Sequence, residues 1–151
     1  MKKYLVCLLL LATIAGCTKT QTDYTEVDHK IILDYIASHN LTTAQSTASG
    51  LYYVIEKPGT ASHPNYYSTV TVAYTGRLTN DTIFDTTVGG SPATFPLTNV
   101  ISGWQIGIPL FGRGGKGILL IPSSLGYGSR AQTAIPAHSV LVFDINLLDF
   151  N

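Results

Sequence analysis

Apolar residues fall into three successive patterns along this chain. From Tyr4 to Ile14 they form an almost unbroken run behind Met1-Lys2-Lys3. From Val27 to Ile36 they recur at helical spacing, with Val27, Ile31 and Tyr35 in one row and Ile32 and Ile36 beside it. That spacing predicts a helix over 26–39, with Thr25 and Asp28 as a variant N-terminal cap and Asn40 as the left-handed residue closing it. From Leu51 onward the period drops to two. Leu51–Glu56, Val70–Thr75, Ile83–Asp85, Phe95–Leu97, Lys116–Ile121 and Val140–Phe150 read as strands. Asn80-Asp81 marks a hairpin turn, and 88–93 and 123–137 read as irregular loops. Pro96 inside its strand predicts an edge position, because proline has no N–H to give a second neighbour. One short helix fits within Val100–Pro109, capped by Asn99 or Ser102 and stopped by Gly107 and Pro109. The polar stretches 18–24 and 41–49 read as linkers.

These elements predict an α+β domain over 49–151, with five or six antiparallel strands and one short helix. Composition agrees. Hydrophobic residues make up 45% of the 151 and charged residues only 12%, which fits a packed core rather than a disordered chain. Nine Lys+Arg balance nine Asp+Glu, so there is no basic footprint for a nucleic acid.

The N-terminal run changes the picture of where the chain works. A basic start, a short apolar stretch and small residues before Cys17 form a secretory signal over 1–16. The stretch is too short to span a membrane comfortably. Ile14-Ala15-Gly16-Cys17 resembles a bacterial lipobox, which implies cleavage before Cys17 and lipid on that cysteine. The resulting expectation is a protein of the cell envelope, anchored through residues 17–48 and facing the periplasm or carried on the outer membrane. Its mature part holds seven basic and nine acidic side chains and a single cysteine, so no intramolecular disulfide can form.

No nucleophile elbow accompanies Ser123, Ser124, His138 and Asp144. Gly112-Arg-Gly-Gly-Lys-Gly117 fits no phosphate-binding fingerprint and reads as a turn. The histidines at 29, 39, 63 and 138 lack metal-ligand spacing, and His29 and His39 read as solvated helix residues.

A set of segments instead carries a resemblance. In order they are Val72-Ala-Tyr-Thr-Gly-Arg-Leu78, Phe84-Asp-Thr-Thr87, Phe95-Pro-Leu97, Val100-Ile-Ser-Gly-Trp-Gln-Ile-Gly107 and Gly115-Lys116. Leu120-Ile-Pro-Ser-Ser-Leu-Gly-Tyr-Gly128, Ile135-Pro136 and Leu141-Val-Phe-Asp-Ile-Asn-Leu-Leu148 follow. Together these resemble the FK506-binding-protein (FKBP) type of peptidyl-prolyl cis-trans isomerase, over 67–151.

The resemblance implies a sheet wrapped around a short helix, with the site between them. It implies a monomer that needs no metal or cofactor and acts on proline-containing polypeptides. Tyr74, Phe84, Asp85, Tyr127 and Phe143 would serve catalysis. Phe95, Val100, Ile101, Trp104 and Ile135 would hold substrate, with Trp104 as the floor. Tyr127 and the Ile101 N–H would donate to substrate carbonyls, and Asp85 would orient Tyr74 or bond the ligand. A non-catalytic peptide-binding module or holdase would use the same groove. Every one of these residues lies after 70, so 18–48 is expected to be dispensable for catalysis. Ala134 stands in a short loop over 129–134 where a second bulky residue is common in the family, and Phe111 where a Met is common.

Overall fold

The period-two segments pair into one antiparallel sheet. In the computed structural model, which describes residues 24–151, the strands are β1 (Gln45–Ser46), β2 (Tyr52–Lys57), β3 (Thr69–Leu78), β4 (Ile83–Thr86), β5 (Ala93–Pro96), β6 (Gly115–Ile121) and β7 (Leu141–Phe150). The signal segment 1–16, Cys17 and 18–23 lie outside the described residues. The helices are α1 (Tyr24–Ser38) and α2 (Ser102–Gly107). The sheet order is β1-β2-β6-β7-β3-β4, with β5 also paired to β3. Among the described residues there are seven strands where five or six were expected, because two residues of the 41–49 stretch add β1 to the edge of β2.

Strand β3 is the hinge of the arrangement. One side pairs with β7 from Val70 to Leu78. The other is shared: β5 takes Thr69–Val72 and β4 takes Thr75–Arg77. Pro96 therefore sits where sequence placed it, on a strand whose recorded partner is β3 alone. Alternation sorts the residues of β3. Val70 and Val72 are buried on the inner face, with Tyr74 next along it. Thr71 and Thr75 face outward and pair their hydroxyls with Thr94 and Thr86, both at 3.0 Å.

The inner core gathers Val70, Val72, Leu97, Trp104, Ile108, Phe111, Leu119, Ile121, Leu141, Phe143, Ile145 and Leu147. Helix α2 crosses it at close range. A Cβ on Gly103 would lie 2.4 Å from Ile121 Cγ2, and one on Gly107 would lie 2.6 Å from Leu119 Cδ1. These two glycines, one helical turn apart, form a bare strip against β6. Backbone alone fits there. The helix has no side-chain cap: Ile101 is its capping residue, rather than Asn99 or Ser102. Nor does Pro109 end the turn at once. The chain continues as a 3₁₀ turn over Ile108–Leu110, where a proline at the start loses no hydrogen bond.

A second, smaller core lies on the other face. Ile32 and Tyr35 of α1 pack on Leu120, Val140 and Val142. The helix closes as expected, with Asn40 left-handed at φ 55°. Its buried line differs from the expected stripe. Val27 is 40% exposed, while Asp28 is buried in line with Ile32 and Tyr35. Nor does Asp28 act as a cap for its own helix: its Oδ2 accepts from the Ser123 N–H at 2.8 Å and from the Ser123 hydroxyl at 2.7 Å. His39 stacks on Tyr35, with ring centroids 3.7 Å apart, and its Nε2 lies 3.4 Å from Asp81. His29 meets the Tyr52 hydroxyl at 3.0 Å. Both helix histidines thus have protein neighbours.

Candidate active site

The site residues come from six separate stretches of chain. Tyr74 is the third inward residue of β3 after Val70 and Val72, and Phe143 is the inward residue of β7 that pairs across from Gly76. Phe84 and Asp85 sit on β4, and Phe95 on β5. Val100, Ile101 and Trp104 approach from α2 and the turn before it, and Tyr127 and Ile135 from the long loop ahead of β7. All ten line one cavity of about 520 Å³. Its other lining residues are Asn99, Gln132, Thr133 and Ala134.

The wall is aromatic and the rings are set edge to face. Trp104 is 4% exposed and lies at the base. Tyr74, Phe95 and Phe143 surround it, with centroids 5.1, 5.9 and 5.3 Å away and planes 89°, 80° and 80° from its own. Phe84 meets Phe143 edge-on at 5.5 Å. Such pairs place a positive ring edge on a negative face, so the cluster is held by geometry as well as by burial. The buried Trp104 Nε1 has no hydrogen-bond partner among the described residues.

Apart from the Trp104 indole N–H, the polar side chains of the lining are Tyr74, Asp85, Asn99, Tyr127, Gln132 and Thr133. The Tyr74 hydroxyl donates to Asp85 Oδ2 at 2.5 Å, the short distance of a bond to a charged acceptor. Burial first, and then this bond and the Asp85 charge, push the Tyr74 phenol well above the usual tyrosine range. Tyr74 therefore stays a neutral donor. Tyr127 is 38% exposed, on the loop between Gly126 and a left-handed Gly128. The Ile101 N–H precedes the α2 ladder and belongs to the donors that a helix start leaves without an internal acceptor. No group of three or more His, Cys, Asp or Glu is placed to hold a metal among the described residues.

Sequence reasoning did not mark Asn99, Gln132 or Thr133. Gln132 and Ile135 exchange both backbone bonds, at 2.8 and 3.2 Å, and so turn Thr133 and Ala134 toward the mouth. That reciprocal pair lies in a loop with no period, and only folding brings it to the groove. Ser123, which no nucleophile elbow accompanies, gives its hydroxyl to Asp28.

A sheet folded over a short helix, with an aromatic cavity between them, defines the FKBP-like class. The family model described as FKBP-type peptidyl-prolyl cis-trans isomerase matches residues 60–148, and the chain belongs to that family. It is 44% identical over 140 residues to "FKBP-type peptidyl-prolyl cis-trans isomerase FkpA" of Aeromonas hydrophila, covering 91% of this chain and 52% of that relative. It is 42% identical over 106 residues to "FKBP-type 22 kDa peptidyl-prolyl cis-trans isomerase" of Escherichia coli, covering 69% of this chain and 52% of that one. The chain thus spans about half the length of these curated relatives. The crystal structure of FkpA from Escherichia coli superposes with a TM-score of 0.75 at 33% identity, over 85% of this chain and 61% of that one. A peptidyl-prolyl cis-trans isomerase from Pseudomonas syringae gives 0.71 at 32% identity, over 84% and 96%.

Proposed function

We propose that this protein accelerates cis–trans rotation about X–Pro bonds in exported polypeptides. The rotation faces a barrier of ~18–20 kcal/mol because the planar amide is stabilised by resonance. A catalyst must favour the twisted amide over the planar one. The twisted amide has lost conjugation and is less dipolar, so an apolar pocket favours it over the planar form. The observation that carries this reading is the edge-to-face cage of Tyr74, Phe95 and Phe143 around Trp104. The proline ring sits on Trp104, walled by Phe84, Phe95, Val100 and Phe143, with Ile135 closing one side. Tyr127 and the Ile101 N–H hold the substrate carbonyls. Asp85 orients Tyr74. No step needs a nucleophile or a cofactor.

The N-terminal motif supports an envelope protein tethered through lipid on Cys17, with one copy of the chain sufficient for the site. Several acyl chains anchor firmly, whereas one binds only marginally. The intact-mass spectrum of the mature N-terminus tests this. An unmodified Cys17, or cleavage at another position, rejects it.

The activity is tested by NMR exchange on a short X–Pro peptide. Acceleration at catalytic protein concentration is the expected result. Binding without acceleration would instead make the groove a peptide-binding or holdase site.

A further inference from the structure

Helix α1 contributes no residue to the cavity, yet it grips the loop that forms one wall of it. The loop starts at Pro122 and a 3₁₀ turn over Ser123–Leu125. Pro122 stands at the capping position, and no side chain caps the turn from there. The Ser123 N–H would be left without an acceptor. Asp28 supplies one, from 95 residues earlier in the chain, and takes the Ser123 hydroxyl as well. The Ser123 carbonyl in turn accepts from the Gly126 and Gly128 N–H groups at 3.0 and 2.8 Å. These two bonds bracket Tyr127. A second grip holds the far end of the same loop. Tyr24 stacks flat on His138, with centroids 3.6 Å apart and planes 6° apart, and the His138 N–H donates to the Gly128 carbonyl at 2.7 Å.

Asp28 is 1% exposed, and its Oδ1 is buried with no hydrogen-bond partner among the described residues. Burying a carboxyl that leaves one oxygen unpaired costs stability. A helix docked only to cover Leu120 and Val142 would do better with an apolar residue there. The acid makes sense as a locator: it fixes the root of the turn in one position.

We propose that Asp28 is a positioning residue for the groove, acting through Ser123 to set where Tyr127 stands, with the Tyr24–His138 stack as a second brace. This rests on the isomerase reading for its kinetic consequence and on geometry alone for the positioning. Helix α1 becomes the back support of the site, and the segment before the FKBP match is no longer dispensable.

The test uses the full chain and a double-mutant cycle. Asp28→Ala is expected to lower kcat/KM on an X–Pro peptide by about five- to tenfold, the scale of one misplaced hydrogen bond. In a Tyr127→Ala background the same change is expected to cost about twofold or less, because the group it positions is gone. Asp28→Asn keeps an acceptor for Ser123 and is expected to restore activity to within about threefold of wild type. Independently of activity, amide exchange at Ser123, Gly126 and Gly128 is expected to speed up in Asp28→Ala while β7 amides stay protected, and the Tyr127 ring resonances are expected to move.

An equal fold-loss with and without Tyr127 overturns the proposal, as do unchanged exchange and ring shifts. If wild type fails to isomerise, the functional reading falls, and exchange and ring shifts alone decide the positioning. Should Asp28→Ala not fold, Ser123→Ala and Tyr24→Ala carry the same comparison.

Discussion

Phe84 and Phe143 meet edge to face across Gly76, which has no side chain to keep them apart. A Cβ on Gly76 would lie 2.7 Å from a ring carbon of each. Gly76 also pairs in register with both Asp85 and Phe143, so this glycine stands where β4, β3 and β7 come together. Gly76→Ala is therefore expected to push one ring out of the wall. Overpacking of this kind costs about 1–3 kcal/mol. Thermal melting should show that loss, and the isomerisation rate should fall further than the stability change explains at a temperature where the variant is folded.

The aromatic wall and the acid beside it can be separated. Phe143 is 5% exposed, so Phe143→Ala is expected to cost about 3–5 kcal/mol of stability and about tenfold or more in rate. Phe84 is only partly buried, so Phe84→Ala should cost less stability while still opening the well to water. Asp85→Asn keeps an acceptor for the Tyr74 hydroxyl and should change the rate least. The series is read by isomerisation kinetics, with folding checked by circular dichroism. A dead Asp85→Asn beside an active Phe143→Ala would mean acid–base chemistry instead of desolvation.

Tyr127→Phe removes one neutral donor and keeps the ring. A hydrogen bond of that kind contributes about 0.5–1.5 kcal/mol, so the rate should fall about tenfold or less. Complete loss would give the hydroxyl a larger role than holding a carbonyl.

The raised phenols make a pH prediction. An unfolded tyrosine releases its proton near pH 10, whereas Tyr74, and to a smaller degree Tyr35, hold theirs beyond that in the fold. Above pH 10 the unfolded chain then binds fewer protons than the folded one, so stability falls as pH rises. Below pH 10 these two groups contribute no slope. Denaturant unfolding at pH 8 and pH 10.5 checks this, and Tyr74→Phe should shrink the difference between the two values.

Much of this was legible in the sequence, for physical reasons that differ by element. Strand β3 alternates because one face is core and the other is a threonine ladder. The cavity residues are legible through segments in family order, most of them large or aromatic side chains at fixed distances from a glycine or proline. Helix α1 was legible as a helix but not as a part of the fold. Its buried line runs through Asp28, whose partner Ser123 lies 95 residues away, and no local pattern announces a contact at that distance. Strand β1 is two residues long, too short for any period to register. The rim residues Gln132 and Thr133 carry ordinary loop chemistry.

Adjacent residues Leu119 and Leu120 enter opposite cores, one beneath α2 and the other beneath α1. Within β6 only Lys116 is exposed, so a change at either leucine is felt by one core or the other. Substitution is easier on the threonine-bearing face of β3 and β5 and at the loop ends around the groove, where side chains are not packed between two layers. Under the proposed function, peptide preference can then be altered at Gln132, Thr133 and Ala134 without touching Trp104 at the base of the cavity. The rim and the aromatic base of the cavity are thus built from separate parts of the chain, and each can change without the other.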